Sequence, residues 1–394
     1  MAEWLSTNLK ECTDVLGDGL HGTPKYTENG EYAFVNGNNL VDGEILIKKE
    51  TKRVDYSQYE KYKKTLTDRT ILVSINGTLG NVAVYDSEKI ILGKSACYFN
   101  VKESVDKDFI YYIVSSPAFR QYLENNATGT TIKNISLKQM REYAFSLPPI
   151  DEQKRISSVL RKIDEKIKNN KAINNNLEQQ TQAYFDELFV VNADPNWPEC
   201  TLADIGSVVA GGTPSKSKLE YYADQGIAWI TPKDLSGDKS KFISHGENDI
   251  SELGFSKSSA TKMPAGTILF SSRAPIGYIA IAQNEVTTNQ GFKSVIPNKN
   301  IGTAYVYFLL KNLLPTIEGM ASGSTFKEIS GTAMKSVPTV MPDADIIQLF
   351  SDFCEPVFKE QEVLEAENKH LSALRDSLLP KLMSGEIDVS ELDL

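Results

Sequence analysis

The segment ATGTTIKNIS at residues 127–136 returns as ASGSTFKEIS at residues 321–330, and this repeat decides how the chain is organised. The offset is 194 positions (321 − 127). An earlier loop, Gly22-Thr23-Pro24, returns as Gly212-Thr213-Pro214 with an offset of 190 (212 − 22). Because the landmarks keep their order and their spacing, the 394-residue chain is predicted to hold two copies of one unit.

The globular part of each copy is predicted to mix helices and strands. Short β-rich runs at residues 71–75 and 82–85 are separated by Asn76-Gly77 and Leu79-Gly80, which is typical of two strands joined by a tight turn. Residues 227–230 and 268–272 predict strands in the second copy in the same way. Residues 109–114 and 119–123 predict one short amphipathic helix, whose counterpart is residues 305–310.

Each copy ends in a heptad pattern that follows a proline. Pro148-Pro149 precedes the acidic pair Asp151-Glu152, which suits the first turn of a helix. In the second copy a seven-residue ladder follows Pro342, with Phe353 and Leu374 alongside, and its members are Phe350, Val357, Leu364, Leu371 and Leu378. In the first copy Asn170, Asn174 and Thr181 occupy positions of the seam, where asparagines would weaken packing but fix the register.

The heptads predict two helices of about 40 residues, each roughly 60 Å long at 1.5 Å per residue. Such a length favours a coiled coil over two helices that each pack only on their own domain. The predicted fold is α+β, with globular units at 1–149 and 191–342 and helical segments at 150–190 and 343–394. If the two helices pair antiparallel, the molecule has an approximate two-fold axis. A rigid spacer between two duplicated units would measure a fixed distance between two objects.

The net charge of −10 is unevenly distributed along the chain. Residues 343–394 hold 4 Lys/Arg and 13 Asp/Glu, whereas residues 1–149 hold 18 and 19 and residues 191–342 hold 13 and 13. The globular units are therefore close to neutral and can carry basic faces. Residues 48–69 have a net charge of +4 with interleaved tyrosines, which suits a surface that follows phosphates, although a solvated surface explains the pattern equally well.

Several classes of function lack support in the sequence. There is no GxxxxGK[ST] phosphate loop, no GxGxxG after a strand and no amino-methyltransferase motif, and His21, His245 and His370 are far apart. The four cysteines form no CxxC pair, which favours a cytoplasmic protein with free thiols. No apolar run is long enough for a membrane span, and no secretory signal is visible. We therefore expect a recognition protein without a catalytic or metal site.

With these features, the chain resembles the specificity subunit of type I restriction–modification enzymes. The resemblance covers nearly the whole chain and rests on the duplicated order of several segments. They are Gly211-Gly212-Thr213-Pro214-Ser215, Trp229-Ile230-Thr231-Pro232-Lys233-Asp234-Leu235, the two Gly-Ser/Thr segments before the helices, and LLPKLMSGEI at residues 378–387. The first copy departs from the second one, because Phe34-Val35-Asn36-Gly37-Asn38-Asn39-Leu40 stands where the second has the Trp229 segment.

The resemblance implies two target recognition domains separated by two helices in an antiparallel coiled coil. Each domain would read one half of a bipartite double-stranded DNA site, and the helices would set the gap. It also implies two methyltransferase subunits that use S-adenosylmethionine and two motor-nuclease subunits that use ATP and Mg²⁺, so that the cofactors belong to the partners and none to this chain. A non-catalytic coiled-coil scaffold with duplicated protein-binding domains is the alternative. Steep salt dependence of binding would favour DNA.

Side chains suited to base edges or phosphates were selected by residue type and by their place in loops. In the first copy they are Lys25, Asn36, Asn38, Lys48, Lys49, Lys52, Arg53, Asn76, Lys94, Thr128, Thr130, Thr131 and Lys133. In the second copy they are Ser215, Lys216, Thr231, Lys233, Arg273, Asn289, Gln290, Ser322, Ser324, Thr325 and Lys327. Arg273 takes the place of Asn76 and would favour guanine, but a phosphate contact or a surface ion pair is the alternative. The Gly-Ser/Thr loops would bind phosphate or cap the next element.

Overall fold

The computed structural model describes residues 4–129, 131–323 and 327–389. The chain forms two compact units. The first unit consists of Met1–Ile167 with His370–Leu394, and the second unit consists of Lys168–Lys369. The predicted mixture of helices and strands in two repeated domains is confirmed. The domain boundaries deduced from the sequence and the two-fold axis stay predictions.

The first unit contains short strands and short helices ahead of its part of the long helices. Its strands are β1 (Leu5–Asn8), β2 (Thr13–Asp18), β3 (Tyr32–Val35), β4 (Leu40–Val41), β5 (Glu44–Ile45), β6 (Arg53–Val54), β7 (Thr70–Ser74), β8 (Val82–Val84), β9 (Ile90–Leu92), β10 (Ala96–Val101) and β11 (Ala144–Leu147). Its short helices are α1 (Leu9–Cys12), α2 (Tyr56–Tyr62), α3 (Lys107–Ser115), α4 (Pro117–Asn126) and α5 (Leu137–Glu142).

Two small sheets organise the first unit. An antiparallel sheet has the strand order β2-β10-β7-β8, and a second sheet has the order β6-β3-β9, in which β3 and β9 run parallel. The strands predicted at residues 71–75 and 82–85 are confirmed as the antiparallel pair β7 and β8. β7, TILVS, is rich in β-branched residues and is buried throughout, as expected for a central strand.

The predicted single helix around residues 109–123 is two helices in the structure. Asp106 caps the start of α3, where its carboxylate accepts a hydrogen bond from the Phe109 N–H at 2.7 Å. Ser116 then caps α4 by accepting from the Phe119 N–H at 3.2 Å, and Pro117 is the first residue of α4. A serine cap followed by proline is a strong start signal, so the chain begins a new helix here rather than continuing α3.

The long helices and the second unit follow. The first long helix is α6 (Ile150–Asp186), followed by a π-helical turn at Glu187–Val191. The strands are β12 (Glu199–Thr201), β13 (Gly206–Ala210), β14 (Tyr222–Ala223), β15 (Ile227–Ile230), β16 (Phe242–Ile243), β17 (Asn248–Ile250), β18 (Ile268–Ser272), β19 (Ile276–Ala282), β20 (Thr287–Thr288), β21 (Lys293–Pro297) and β22 (Pro338–Val340). The helices are α7 (Leu202–Ile205), α8 (Pro232–Gly237), α9 (Glu252–Ser256), α10 (Thr303–Asn312), α11 (Leu314–Met320), α12 (Gly331–Lys335) and the second long helix α13 (Ala344–Met383).

The second unit repeats the arrangement of the first, and each of its two main sheets has one more strand. Its strand orders are β13-β21-β18-β19-β16 and β14-β17-β15-β20, and β15 and β20 run parallel as β3 and β9 do. The predicted strands β15 and β18 and the helix at residues 305–310 are confirmed. An aromatic core joins this domain to both long helices within the unit, and it includes Phe185, Phe189, Tyr305, Phe308 and Phe350.

The two long helices pair antiparallel within the second unit. Asn170 Nδ2 donates to Glu367 Oε2 at 2.6 Å, and Asn174 Nδ2 donates to Glu365 Oε1 at 3.2 Å, so rising numbers on α6 meet falling numbers on α13. The predicted seam asparagines thus face the partner helix. Phe353 and Leu374, which were predicted to lie beside the heptad ladder, are exposed by 39% and 38%.

A group of charges around the buried Lys241 holds the second domain on the helices of its unit. Lys241 is buried, and its ammonium contacts the Glu178 carboxylate and donates to Gln361 Oε1 at 2.6 Å. Lys311 Nζ lies 2.6 Å from the same Glu178. Burial alone would raise the pKa of the Glu178 carboxyl, but the two lysines outweigh it and lower that pKa. These residues, Lys241, Glu178, Gln361 and Lys311, are called the Lys241 cluster below.

The first unit attaches its domain through a more exposed carboxylate. Tyr112 Oη donates to Asp164 Oδ2 at 2.8 Å, and Arg375 Nη1 donates to Asp164 Oδ1 at 2.8 Å. The side chains of Asp164 and Arg375 are about one third exposed. A carboxylate of α6 therefore joins domain and helix in both units, but only in the second unit does that carboxylate contact a buried ammonium, that of Lys241. None of the described helices combines the length and hydropathy that a membrane span requires.

Candidate nucleic-acid interface

Hydrogen bonds bring four loops of the first unit together at one edge. Ser95 Oγ donates to Asn36 Oδ1 at 2.9 Å, and the Ile75 N–H donates to the Ser95 carbonyl at 2.9 Å. The Gly77 N–H donates to the Lys133 carbonyl at 3.0 Å. The loops are residues 36–39, 75–80, 93–95 and the described part of 128–134, and we call them the edge loops of the first unit.

The second unit joins its corresponding loops through the same backbone bonds. The Ser272 N–H donates to the Gly291 carbonyl at 2.7 Å, where Ile75 meets Ser95 in the first unit. The Ile329 N–H donates to the Ser272 carbonyl at 3.1 Å, where Ile135 meets Ile75. The edge loops of the second unit are residues 231–234, 272–277, 289–291 and the described part of 322–328.

Strand register defines which residues of the two units correspond. Val35 pairs with Leu92 as Ile230 pairs with Thr288, and Ile71 pairs with Phe99 as Ile268 pairs with Val295. The corresponding loop positions are then Asn38 and Lys233, Lys94 and Gln290, Asn76 and Arg273, and Lys133 and Lys327. All eight side chains are exposed or half-buried. The structure therefore places candidates from both copies at equivalent positions, and three of the four pairs differ in residue type.

The turn after β7 and the turn after β18 are built alike. Ser74 Oγ accepts from the Asn81 N–H at 2.8 Å, and Ser271 Oγ accepts from the Tyr278 N–H at 2.7 Å. Gly80 and Gly277, at equivalent positions of the two turns, have φ of +78° and +99°, a region that L side chains rarely adopt. Both turns therefore use a glycine for their backbone geometry.

The divergent segments at Asn36 and Thr231 also share one backbone arrangement. The Asn36 N–H donates to Asn39 Oδ1 at 2.9 Å, and the Thr231 N–H donates to Asp234 Oδ2 at 2.7 Å. The Thr231 hydroxyl donates to the same carboxylate at 2.7 Å, so it stabilises the start of α8. Asn38 and Lys233 are the exposed residues of these turns, and Lys233 Nζ lies 2.6 Å from Glu247.

The Gly-Ser/Thr loops fold back on themselves beside these turns. Thr128 and Asn134 exchange backbone hydrogen bonds of 2.9 and 2.8 Å, and Ser322 and Glu328 exchange bonds of 3.1 and 2.9 Å. Thr131 is exposed at the outside of the first loop. Thr130, Ser324 and Thr325, which were also candidates, lie outside the described residues.

The basic stretch of the first unit lies beside its edge loops. Asn39 Nδ2 donates to Leu46 O at 3.0 Å and to Thr51 Oγ1 at 3.4 Å, which brings the 46–51 loop against the turn at residues 36–39. The candidates Lys25, Lys48, Lys49 and Lys52 are exposed. By contrast, Arg53 Nη1 donates to the Gly30 carbonyl at 3.3 Å, which gives this guanidinium a role in holding the loop before β3.

The remaining candidates of the second unit lie near the end of β20. The Gly212 N–H donates to Thr288 O at 2.9 Å, so the loop that carries Ser215 and Lys216 starts there, and both of these residues are exposed. Asn289 Oδ1 accepts from the Gly291 N–H at 2.8 Å, which stabilises the turn. Gln290 is exposed at the tip of this turn.

The charges at the edge of the second unit include two residues that the sequence analysis missed. Arg273 Nη1 lies 3.4 Å from Glu328 Oε2, and Lys293 Nζ lies 3.6 Å from Glu328 Oε1. The corresponding residues of the first unit are neutral: Asn76 Nδ2 donates to Asn134 Oδ1 at 3.1 Å, and Cys97 corresponds to Lys293. Burial raises the pKa of the Cys97 thiol, which keeps it uncharged. A lysine at the start of β21, between Phe292 and the strand residues Val295 and Ile296, was the signal available in the sequence.

The arrangement offers amide, guanidinium and ammonium groups on loops, which are the donors that bind base edges and phosphates. Within residues 4–129, 131–323 and 327–389, no group of three His, Cys, Asp or Glu side chains is placed to hold a metal ion.

Comparison with known proteins agrees with this geometry. A 190-residue segment is 38% identical to the type I restriction enzyme MjaIX specificity subunit of Methanocaldococcus jannaschii and covers 46% of this chain and 44% of that subunit. The HindI specificity subunit of Haemophilus influenzae is 23% identical over 358 residues, which cover 71% of this chain and 77% of that subunit. The crystal structure of a type I restriction–modification S subunit from M. genitalium has the same fold, with a TM-score of 0.60 and 21% identity over 97% of this chain and 96% of that one.

A family model described as the type I restriction modification DNA specificity domain matches residues 1–179 and again residues 195–372. The two matches correspond to the two copies found in the sequence and to the two sets of edge loops. The chain therefore belongs to the type I restriction modification DNA specificity domain family and carries two copies of that domain.

Proposed function

We propose that the chain is the sequence-reading subunit of a type I restriction–modification complex, in which each domain reads one half of a bipartite DNA site. The observation that carries this proposal is the pair of edge-loop sets. Both sets have the same backbone bonds, but they present different exposed side chains at equivalent positions, such as Lys94 and Gln290. A duplicated scaffold with changed polar groups suits the reading of two different short sequences.

We further propose that the long helices set the gap between the half-sites and dock two methyltransferase subunits. In support, α6 and α13 are continuous over 37 and 40 residues, or about 55 and 60 Å at 1.5 Å per residue. Two motor-nuclease subunits would complete a restriction complex in the cytoplasm, where the host DNA lies. S-adenosylmethionine, ATP and Mg²⁺ would bind to those partners, and this chain would act as their non-catalytic guide.

Methylation mapping tests the proposal. Host DNA is sequenced for N6-methyladenine with the gene present, with the gene deleted and with the gene restored. We expect loss and recovery of one split motif that has a fixed gap and two different halves. Unchanged methylation, together with DNA binding that is insensitive to salt, would contradict the proposal and favour a protein scaffold.

A further inference from the structure

The charged trio of the second unit, Arg273, Glu328 and Lys293, is not required by the fold. The first unit builds the same turn with Asn76, Asn134 and Cys97, which are neutral. In both units the first residue of the trio pairs by a backbone bridge with the second, Asn76 with Asn134 and Arg273 with Glu328. The scaffold is therefore satisfied without charges, and the charges need another explanation.

Burying one of these charges at the edge costs free energy of folding. Lys293 is 8% exposed, and its ammonium reaches Ser272 Oγ at 3.4 Å and Glu328 Oε1 at 3.6 Å. A buried ammonium is tolerated only when it is paired, and the carboxylate of Glu328 supplies the opposite charge for Lys293. The other oxygen then holds Arg273 Nη1 at 3.4 Å. Glu328 and Lys293 together orient the guanidinium of Arg273, whose side chain is 37% exposed.

Most N–H donors of the Arg273 guanidinium remain available for a ligand. Arginine has five N–H donors in a planar fork, and among the described residues only Nη1 of Arg273 has a hydrogen-bond partner. A fork of this kind pairs in a bidentate manner with O6 and N7 of guanine in the major groove. The exposed Gln290 and Lys327 lie on the two neighbouring edge loops, so a duplex that meets Arg273 also meets them.

We propose that Arg273, oriented by Glu328 and Lys293, reads a guanine in the half-site of the second domain. Asn76 occupies the equivalent position in the first domain, and its amide suits adenine rather than guanine. The inference rests on the proposed function, because it names a specificity-determining residue of the same DNA site. The two half-sites then differ at the base pair that these two residues face.

The test is motif mapping with the full chain in complex with its methyltransferase subunit. A library of duplexes with randomised bases is methylated in vitro by the wild type and by Arg273→Asn, Arg273→Lys and Lys327→Ala. For Arg273→Asn we expect discrimination at one base pair of the second half to fall on the order of 10- to 100-fold, while the first half and the gap stay unchanged. Arg273→Lys keeps part of the preference because lysine donates to the same acceptors. Lys327→Ala, the matched control, lowers methylation of all sequences without changing the motif.

The outcomes separate this inference from the proposed function. If the wild type methylates a split motif and Arg273→Asn keeps every base preference, the assignment of Arg273 is wrong and the proposed function stands. If the wild type methylates no split motif, the proposed function fails and the assignment fails with it. Equal thermal unfolding of Arg273→Asn and the wild type shows that a changed motif does not come from unfolding.

Discussion

Residues 74–81 of the first unit and residues 271–278 of the second have the same hydrogen-bonded turn, yet one turn carries Asn76 and the other Arg273. The neighbouring side chains differ in the same way: they are neutral in the first unit, Asn134 and Cys97, and charged in the second unit, Glu328 and Lys293. The attachment to the helices also differs, because Glu178 contacts the buried ammonium of Lys241, whereas Asp164 contacts the partly exposed guanidinium of Arg375. The backbone of this domain therefore tolerates either neutral or charged side chains at its edge loops, provided that each charge has a partner.

The largest effect is expected when the buried cluster of the second unit is broken. Lys241→Met removes a cation that contacts Glu178, Gln361 and the Phe358 ring. Because the buried Gln361 loses a hydrogen bond and Glu178 loses one of its two lysines, we expect a loss of about 3 kcal/mol in the free energy of unfolding. In the first unit Arg375→Met leaves Asp164 bonded to Tyr112, and about 1 kcal/mol is expected.

Urea denaturation of both variants measures this difference between the units. Lys233→Met is the control, because its ion pair with Glu247 is exposed and its loss is expected to change the free energy of unfolding by less than about 1 kcal/mol. Equal losses for Lys241→Met and Arg375→Met would show that the buried cluster does not distinguish the two units.

A smaller effect is expected at the edge itself. Glu328→Gln leaves the ammonium of Lys293 without an anionic partner, and we expect a loss of about 2 kcal/mol in the free energy of unfolding. Asn134→Ala in the first unit breaks only an amide pair, for which about 1 kcal/mol is expected. Thermal unfolding of the two variants compares them, and a larger loss for Asn134→Ala would refute the account of the charged trio.

Lys133 and Lys327, which occupy equivalent positions in the two units, are expected to have the same effect on DNA binding. In the proposed interface Lys133 and Lys327 each contact one phosphate, so Lys133→Ala and Lys327→Ala are each expected to reduce the slope of log K against log salt by about 1 for every DNA sequence. Lys299→Ala is the control, because Lys299 follows the end of β21 that lies away from Lys293. Fluorescence anisotropy of a labelled duplex over a salt series gives the slopes, and slopes equal to the wild type would exclude these lysines from the interface.

The smallest effect is the pH-dependent part of the Lys241 cluster. The pKa of Glu178 is lowered in the folded protein, so its ionised form stabilises the fold above the unfolded pKa of about 4.3. This stabilisation is lost as the pH falls through the lower folded pKa. The difference in unfolding free energy between the wild type and Glu178→Gln is therefore expected to shrink between pH 6 and pH 3. A difference that grows toward acid would contradict the direction of the shift.

The heptad and strand patterns predicted much of the fold. The period of seven residues predicted α6 and α13, and the β-rich run at residues 71–75 predicted β7. The pattern missed the buried side chains of Gln361 and Cys354, because the helices pack on the domain as well as on each other and burial extends beyond the heptad positions. It also missed the break before α4, where the cap at Ser116 and Pro117 outweighs the apolar period.

For the candidate interface, residue type and loop position selected groups that the fold does bring together, such as Asn76 with Lys133 and Arg273 with Lys327. The sequence could not show which side chains were already engaged. Arg53 bonds to the Gly30 carbonyl, which is 23 residues away in the chain, so this partner depends on tertiary structure, whereas Thr231 bonds to Asp234 in a local helix cap. Glu328 and Lys293 were missed because their importance lies in a contact across 35 residues (328 − 293) of chain.

The central claim is that both domains read DNA with the same edge-loop backbone and different side chains. Its most direct test is a structure of the full chain with its methyltransferase subunit on its target duplex. We expect both sets of edge loops in the major groove, with Asn76 and Arg273 against base edges and Lys133 and Lys327 against phosphates. A complex in which either set of edge loops faces away from the duplex would contradict the account.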